Sequence, residues 1–297
     1  MRVTDLYGIA GPVPFVDVHV DHDNLLFLDP SAIRNATDPL GLRADGQLVS
    51  YFTEVLRCRA SVKPGDHAKG RGLLQQLHEP NETRLGMSAR RVAGHGFGDE
   101  LGERLWDELA HNAACRAAAL TRLEDLRLFV DGVGNDLVSD LTTRVVFDVL
   151  AEFTQQMVVR YPALGGHVST EIVTTWDGVA LQWTPTATTL PLAAGRQLLL
   201  VPKGWVYWRT LMDPIIFYNR FGTETVQQER TTYDREGNPN GPSKAALKAE
   251  FRHVRGLNNQ QAALYRQRDR DLVAEYRQQV DETFTPLDDD ELRRRAA

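Results

Sequence analysis

Three aspartates fall close together in Asp131-Gly132-Val133-Gly134-Asn135-Asp136-Leu137-Val138-Ser139-Asp140. Carboxylates this near repel one another, and a divalent cation would offset the repulsion. Mg²⁺ and Mn²⁺ suit one or two carboxylates completed by waters and substrate phosphate oxygens. Asp136 and Asp140 are four residues apart, so in a helix they share a face. Asp131, Asp136 and Asp140 are therefore the candidate metal ligands, with Mg²⁺ or Mn²⁺ as the cofactor. The more ordinary reading is a helix start, where Asp136 or Ser139 caps and the acids meet the dipole.

Lys203 follows the apolar run Leu198-Leu199-Leu200-Val201-Pro202. At the end of a buried strand it could stabilise negative charge on a reacting phosphate. Its ordinary alternative is a stem lying over Trp205 or Trp208. Upstream, Lys63, Lys69, Arg71, Arg84, Arg90 and Arg91 form a basic, glycine-containing stretch. Such a surface could follow a nucleic-acid backbone. The run Gly94-His95-Gly96-Phe97-Gly98 lacks the Lys-Ser/Thr of a phosphate loop. Asp17, His19, Asp21, His22 and Asp23 make a dense polar cluster. On a strand, alternation would put Asp17, His19 and Asp21 on one face, a possible Zn²⁺ or Mn²⁺ set. A solvated hairpin turn accounts for the same letters. Glu79 and Glu82 in His78-Glu79-Pro80-Asn81-Glu82 do not form a two-histidine zinc motif.

The elements around these residues follow from periodicity. Apolar spacing near 3.6 predicts helices over 48–60, 99–123 and 137–160. Residues 126–130 read as a buried strand, followed by a turn-forming 131–136 loop. The 13–29 stretch reads as two short strands around Asp21-His22-Asp23-Asn24. Residues 168–208 are rich in β-branched and aromatic residues and read as strands, with turns at Asp177-Gly178 and Ala194-Gly195. A helix is expected over 212–229, a polar loop over 231–243, and polar helices over 244–284. The tail Leu287-Asp288-Asp289-Asp290-Glu291-Leu292-Arg293-Arg294-Arg295 is charged and expected to fray. The expected fold is mixed α/β: a central mixed sheet flanked by helices, with a polar helical C-terminal segment. The expected division is a core domain over 1–230 and a loop-plus-helix segment over 231–297.

The chain has 297 residues, 42% of them hydrophobic, enough for a sizeable core. Its net charge of −6 supplies no overall positive field, so any nucleic-acid contact must be local. Cys58 and Cys115 make no disulfide framework and no zinc motif, which fits a reducing cytoplasm. No apolar run reaches the ~18 residues of a membrane helix, so no membrane is expected as a partner. A protein partner or a homo-oligomer remains open.

The segments 21–30, 78–88, 131–143 and 198–206 resemble an uncharacterised group of bacterial proteins from defence and mobile-element neighbourhoods. The chain is also similar to PD-(D/E)xK nucleases. That likeness implies a metal-binding acid at Asp136 or Asp140 and the lysine at Lys203, although Val201 stands where an acid belongs. The leading expectation is a metal-dependent nuclease or phosphodiesterase acting on nucleic acid, a candidate antiviral defence effector. The rival is a non-enzymatic, partner-binding subunit of a bacterial complex, using the polar C-terminal helices and Trp205, Tyr207 and Trp208 as contacts.

Overall fold

The helix Pro39–Ala60 starts where Asp38 accepts hydrogen bonds from the amides of Leu40 and Gly41 and Pro39 sets the first helical φ. Its inner face, Ala44, Leu48, Tyr51, Phe52, Val55 and Cys58, is buried and becomes the middle of the core. This is a computed structural model; it describes residues 1–76, 80–86 and 95–296, with the side chains of 95–99 excepted.

In chain order the helices are α1 (Val3–Tyr7), α2 (Pro30–Arg34), α3 (Pro39–Ala60), α4 (Pro64–Gln75), α5 (His95–His111), α6 (Ala113–Arg116), α7 (Leu126–Phe129), α8 (Asn135–Val145) and α9 (Phe147–Arg160). After the sheets come α10 (Pro214–Phe217), α11 (Thr223–Arg230), α12 (Lys244–Glu250), α13 (Val254–Arg266), α14 (Leu272–Thr283) and α15 (Asp289–Arg295). The chain is thus mixed helix and sheet, as expected. Its sheet component is smaller and more dispersed than one central sheet. β1 (Phe27–Leu28) pairs with β5 (Val206–Tyr207), and β2 (Val168–Asp177), β3 (Gln182–Ala193) and β4 (Arg196–Gln197) form an antiparallel meander. β6 (Thr232–Tyr233) and β7 (Pro239–Asn240) make a third, minimal hairpin. The turns expected at Asp177-Gly178 and Ala194-Gly195 join β2 to β3 and β3 to β4, with Gly195 at φ +75.

Three local expectations are corrected. Residues 126–130 are not a strand: Leu126–Phe129 is a helical turn. Its carbonyls are taken by side chains of α13. Arg255 donates to the Arg127 carbonyl, Asn258 to that of Leu128 and Asn259 to that of Phe129. A short apolar run has no periodicity to separate these outcomes. Residues 64–75, part of the basic, glycine-containing stretch, form a helix started by Pro64. Leu198 to Val201 is buried and extended but belongs to no named strand. Its amides go to the Pro191 carbonyl, the Glu82 carbonyl and the Thr154 hydroxyl in turn. The tail does not fray. Asp288 caps α15, and Leu287, Leu292 and Ala296 are buried in the core.

The main core runs through almost the whole chain, from Val3 to Ala296. Residues of α14 and α15 contribute to it, so this part of the 231–297 segment is packed into the same body as α3, α8 and α9. A second small cluster joins Tyr218, Val226, Leu247 and Leu257. No described helix is long and apolar enough to cross a membrane.

Candidate functional site

Helix α8 starts at Asn135, and Gly132, at φ +79, lets the chain turn out of α7. Asn135 anchors this start: its Oδ1 accepts hydrogen bonds from the Thr210 amide at 3.0 Å and hydroxyl at 2.9 Å. Along α8, Asp136, Asp140 and Arg144 recur every four residues, the two aspartates half-buried and Arg144 buried, and the i, i+4 expectation for the two aspartates holds. Val138, Leu141 and Val145 occupy the buried side.

Residues 80–86 lie against this polar face. The Leu199 amide donates to the Glu82 carbonyl at 2.9 Å, and the Gly86 amide donates to the carbonyls of Asn24 and Leu26. Asn24 is fully buried and gives its amide hydrogens to the carbonyls of His19, His22 and Arg84. Arg84 and Gly86 both have left-handed backbones, at φ +58 and +116. A Cβ on Gly86 would sit 2.7 Å from Asp136 Oδ1, so only glycine lets the main chain approach that carboxylate.

Glu82, given only brief weight by sequence reasoning, lies in the field of Arg144. Its Oε2 is buried and has no hydrogen-bond partner. Arg144, also buried, donates to the Thr174 carbonyl at 3.1 Å, while its Nε is buried and unpartnered. Burial lowers the Arg144 pKa, and the nearby Glu82 carboxylate opposes that shift. An orphaned acceptor and an orphaned donor thus lie in each other's field. Buried polar groups are nearly always paired, so such orphans point to an absent water, ion or ligand.

The other predicted residues disperse. Asp131 is exposed and engages His253 Nε2 at 2.9 Å and Arg255 at 3.6 Å. Asp131, Asp136 and Asp140 do not bring three ligand oxygens within 4.8 Å, so the three-aspartate centre is not assembled. Lys203 pairs with Asp289 at 2.5 Å, in a small recess shared with Arg2, Thr4 and Asp17. Trp205 is buried, with Tyr207 and Trp208 half-buried.

Three of the six predicted cations, Lys69, Arg71 and Arg84, are engaged within the fold. Lys69 pairs with Glu54 at 2.6 Å, and Arg71 with Glu103 at 3.5 Å. Arg57 and Lys69 together hold the Glu54 carboxyl down at about 2. Arg84 is buried and donates to the carbonyls of Val20, Asn81 and Gln197. Burial, aided by the neighbouring Arg196 charge, brings its pKa down to about 10. It is a main-chain staple and cannot contact a phosphate backbone. Lys63 is exposed, and Arg90 and Arg91 lie outside the described residues.

At the N-terminal cluster, His19, Asp21 and His22 bring one ligand atom each within 4.8 Å of one another. The imidazoles stack at 4.6 Å. Asp17 is not part of this group, because its carboxylate accepts from the Thr4 amide and hydroxyl. Asp21 is held by the Met1 ammonium at 2.9 Å. Burial and the Arg2 charge lower the His19 pKa.

No curated protein and no solved structure matches the chain. Glu82, Asp136, Asp140 and Arg144 all lie within residues 11–213, whereas His253, Arg255 and Asp289, which take up Asp131 and Lys203, lie beyond them. That 11–213 stretch matches the family described as Domain of unknown function (DUF8370), and the chain belongs to this family.

Proposed function

We propose that this chain is a divalent-metal-dependent phosphodiesterase acting on nucleic acid, with Asp136 and Asp140 as the Mg²⁺- or Mn²⁺-binding pair. The observation that supports the reading is the buried, partnerless Glu82 Oε2 in the field of Arg144, on the helix that carries Asp136 and Asp140. Two carboxylates suffice for Mg²⁺ when waters and phosphate oxygens complete its shell. A bound divalent ion would make water a stronger nucleophile and polarise a phosphoryl oxygen. Arg144 would supply positive charge to the anion that develops during attack. The partnerless Nε leaves it a donor to spend on a ligand. Asp131 and Lys203 have no part in this arrangement, being engaged elsewhere. A role against invading nucleic acid rests on the resemblance of segments such as 131–143 to defence-associated bacterial proteins.

Calorimetric titration with Mg²⁺ and Mn²⁺ tests the reading, with the wild type set beside Asp136→Asn, Asp140→Asn and Glu82→Gln. The same samples are assayed on single- and double-stranded DNA and RNA. Binding and cleavage lost together in the Asp136 and Asp140 variants, with stability retained, is the expected result. A wild type that binds neither ion would reduce the aspartates to helix-start residues and overturn the proposal.

A second reading, a partner-binding subunit, is favoured by one observation. Trp208 is half-buried, with the guanidiniums of Arg209 at 4.4 Å and Arg295 at 5.1 Å from its ring centre. Tryptophan and arginine are the usual anchors of protein interfaces.

A further inference from the structure

A cavity of about 450 Å³ opens where the C-terminal ends of α3 and α5 meet the chain leaving α6. Its wall is apolar, with Leu56 and Ala60 from α3, Leu109 and Ala110 from α5, and Ala118 and Leu120 after α6. Small-molecule sites typically have roughly this volume, 300–1,000 Å³, with an apolar lining and a few polar groups that fix orientation. Here the charged lining is two guanidiniums, Arg59 and Arg116. Neither makes a side-chain hydrogen bond or ion pair among the described residues. Arg59 is half-buried and steadied over the Trp106 ring at 5.0 Å. Arg116 is exposed at the mouth. The carbonyl ends of α3 and α5 would by themselves repel an anion, and two unpaired cations reverse that field.

The turn after α6 shapes one side of the wall. Ala118 is left-handed at φ +54, and the amides of Ala118 and Ala119 close onto the carbonyls of Cys115 and Ala114. Glycine is the usual residue in such a cap. Alanine here places a methyl on the cavity wall instead. Cys115 also lines the cavity and is half-buried, whereas Cys58 is fully buried.

We propose that this cavity binds a small amphipathic carboxylate, with its apolar body against the Leu and Ala wall and its carboxylate held by Arg59 and Arg116. The two cations exclude an ammonium-bearing amphiphile. The apolar wall excludes a strongly hydrated anion such as free phosphate. The site is separate from the Asp136–Asp140 face and does not depend on its role.

Octanoate, octylammonium and octan-1-ol are titrated into the full chain by calorimetry. The expected result is saturable 1:1 binding of octanoate, with octylammonium silent and octan-1-ol weaker by tenfold or more. Arg116→Gln and Arg59→Gln each weaken octanoate by roughly tenfold, the loss of about one charge-assisted hydrogen bond. Arg116 is exposed, so its variant keeps the wild-type melting temperature and remains informative if Arg59→Gln is unstable. Octanoate also slows iodoacetamide alkylation of Cys115. No octanoate binding, equal binding of the alcohol, or an Arg116→Gln variant that binds like wild type overturns the proposal.

Discussion

Replacing Arg84 by lysine separates two readings of one residue. If Arg84 contacted a phosphate backbone, lysine would keep the charge and cost little stability. In the folded chain its guanidinium donates to three carbonyls, those of Val20, Asn81 and Gln197, which belong to three separate segments. It is 2% exposed, and no carboxylate lies within ion-pair distance of it among the described residues. Lysine has one compact donor group and no planar fork, so it cannot span three acceptors from one place. Hydrogen bonds from charged groups contribute roughly 1.5–3 kcal/mol each. Losing two of three gives a destabilisation of about 3–6 kcal/mol, and the more strongly hydrated ammonium gives no relief on burial. The left-handed φ of residue 84 is unaffected, because both side chains carry a Cβ. Urea unfolding followed by tryptophan fluorescence reads the change as a lower midpoint at constant slope. A loss below about 1 kcal/mol, the scale of a surface substitution, would refute the staple.

Other perturbations have defined signs. Asp29 is fully buried, and desolvation raises its pKa to about 6. The folded state therefore binds its proton more tightly than the unfolded one, and this penalty on the ionised form is relieved as pH falls through 6 towards the ordinary value of 3.8. Between pH 7 and pH 5 wild type gains about 1.3 kcal/mol relative to Asp29→Asn, measured by paired urea titrations; parallel profiles would remove Asp29 as the source. Gly86→Ala imposes a strained backbone at φ +116 and a methyl 2.7 Å from Asp136 Oδ1. It should cost about 1–3 kcal/mol and abolish calorimetric Mn²⁺ binding although every acid is retained. Leu292→Ala in α15, a residue 4% exposed, should cost about 2–3 kcal/mol; a fraying tail would instead leave the melting temperature unchanged.

What could be read from the sequence followed local rules. The i, i+4 pair of Asp136 and Asp140 needs only helix geometry, and the Asp177-Gly178 and Ala194-Gly195 turns need only turn chemistry. The periodic stripe of 137–160 foretold helix but not the break at Val146, where φ −100 and ψ 18 separate α8 from α9. Asp131 was illegible because its partners, His253 and Arg255, are more than a hundred residues away. Arg84 and Arg71 carry the same letter, yet one is buried and the other exposed; only the threading of 80–86 past Asn24 and Gln197 separates them. Glu82 was not legible, because the left-handed backbones at Arg84 and Gly86 that set its segment are seen only in the fold.

The docking of α15 has a consequence for synthesis on the ribosome. Arg2 donates to the Arg293 carbonyl, the Leu25 amide to the Arg295 carbonyl, and Lys203 pairs with Asp289. The N-terminal corner, made first, therefore acquires these partners only after residue 289 has been polymerised. At about 5–20 residues per second, that is a delay of roughly 15–60 s during which Arg2 and Leu25 lack these partners. Nascent chains arrested before α15 should be cut by protease near residues 1–25, and release of the α15 sequence should confer protection there.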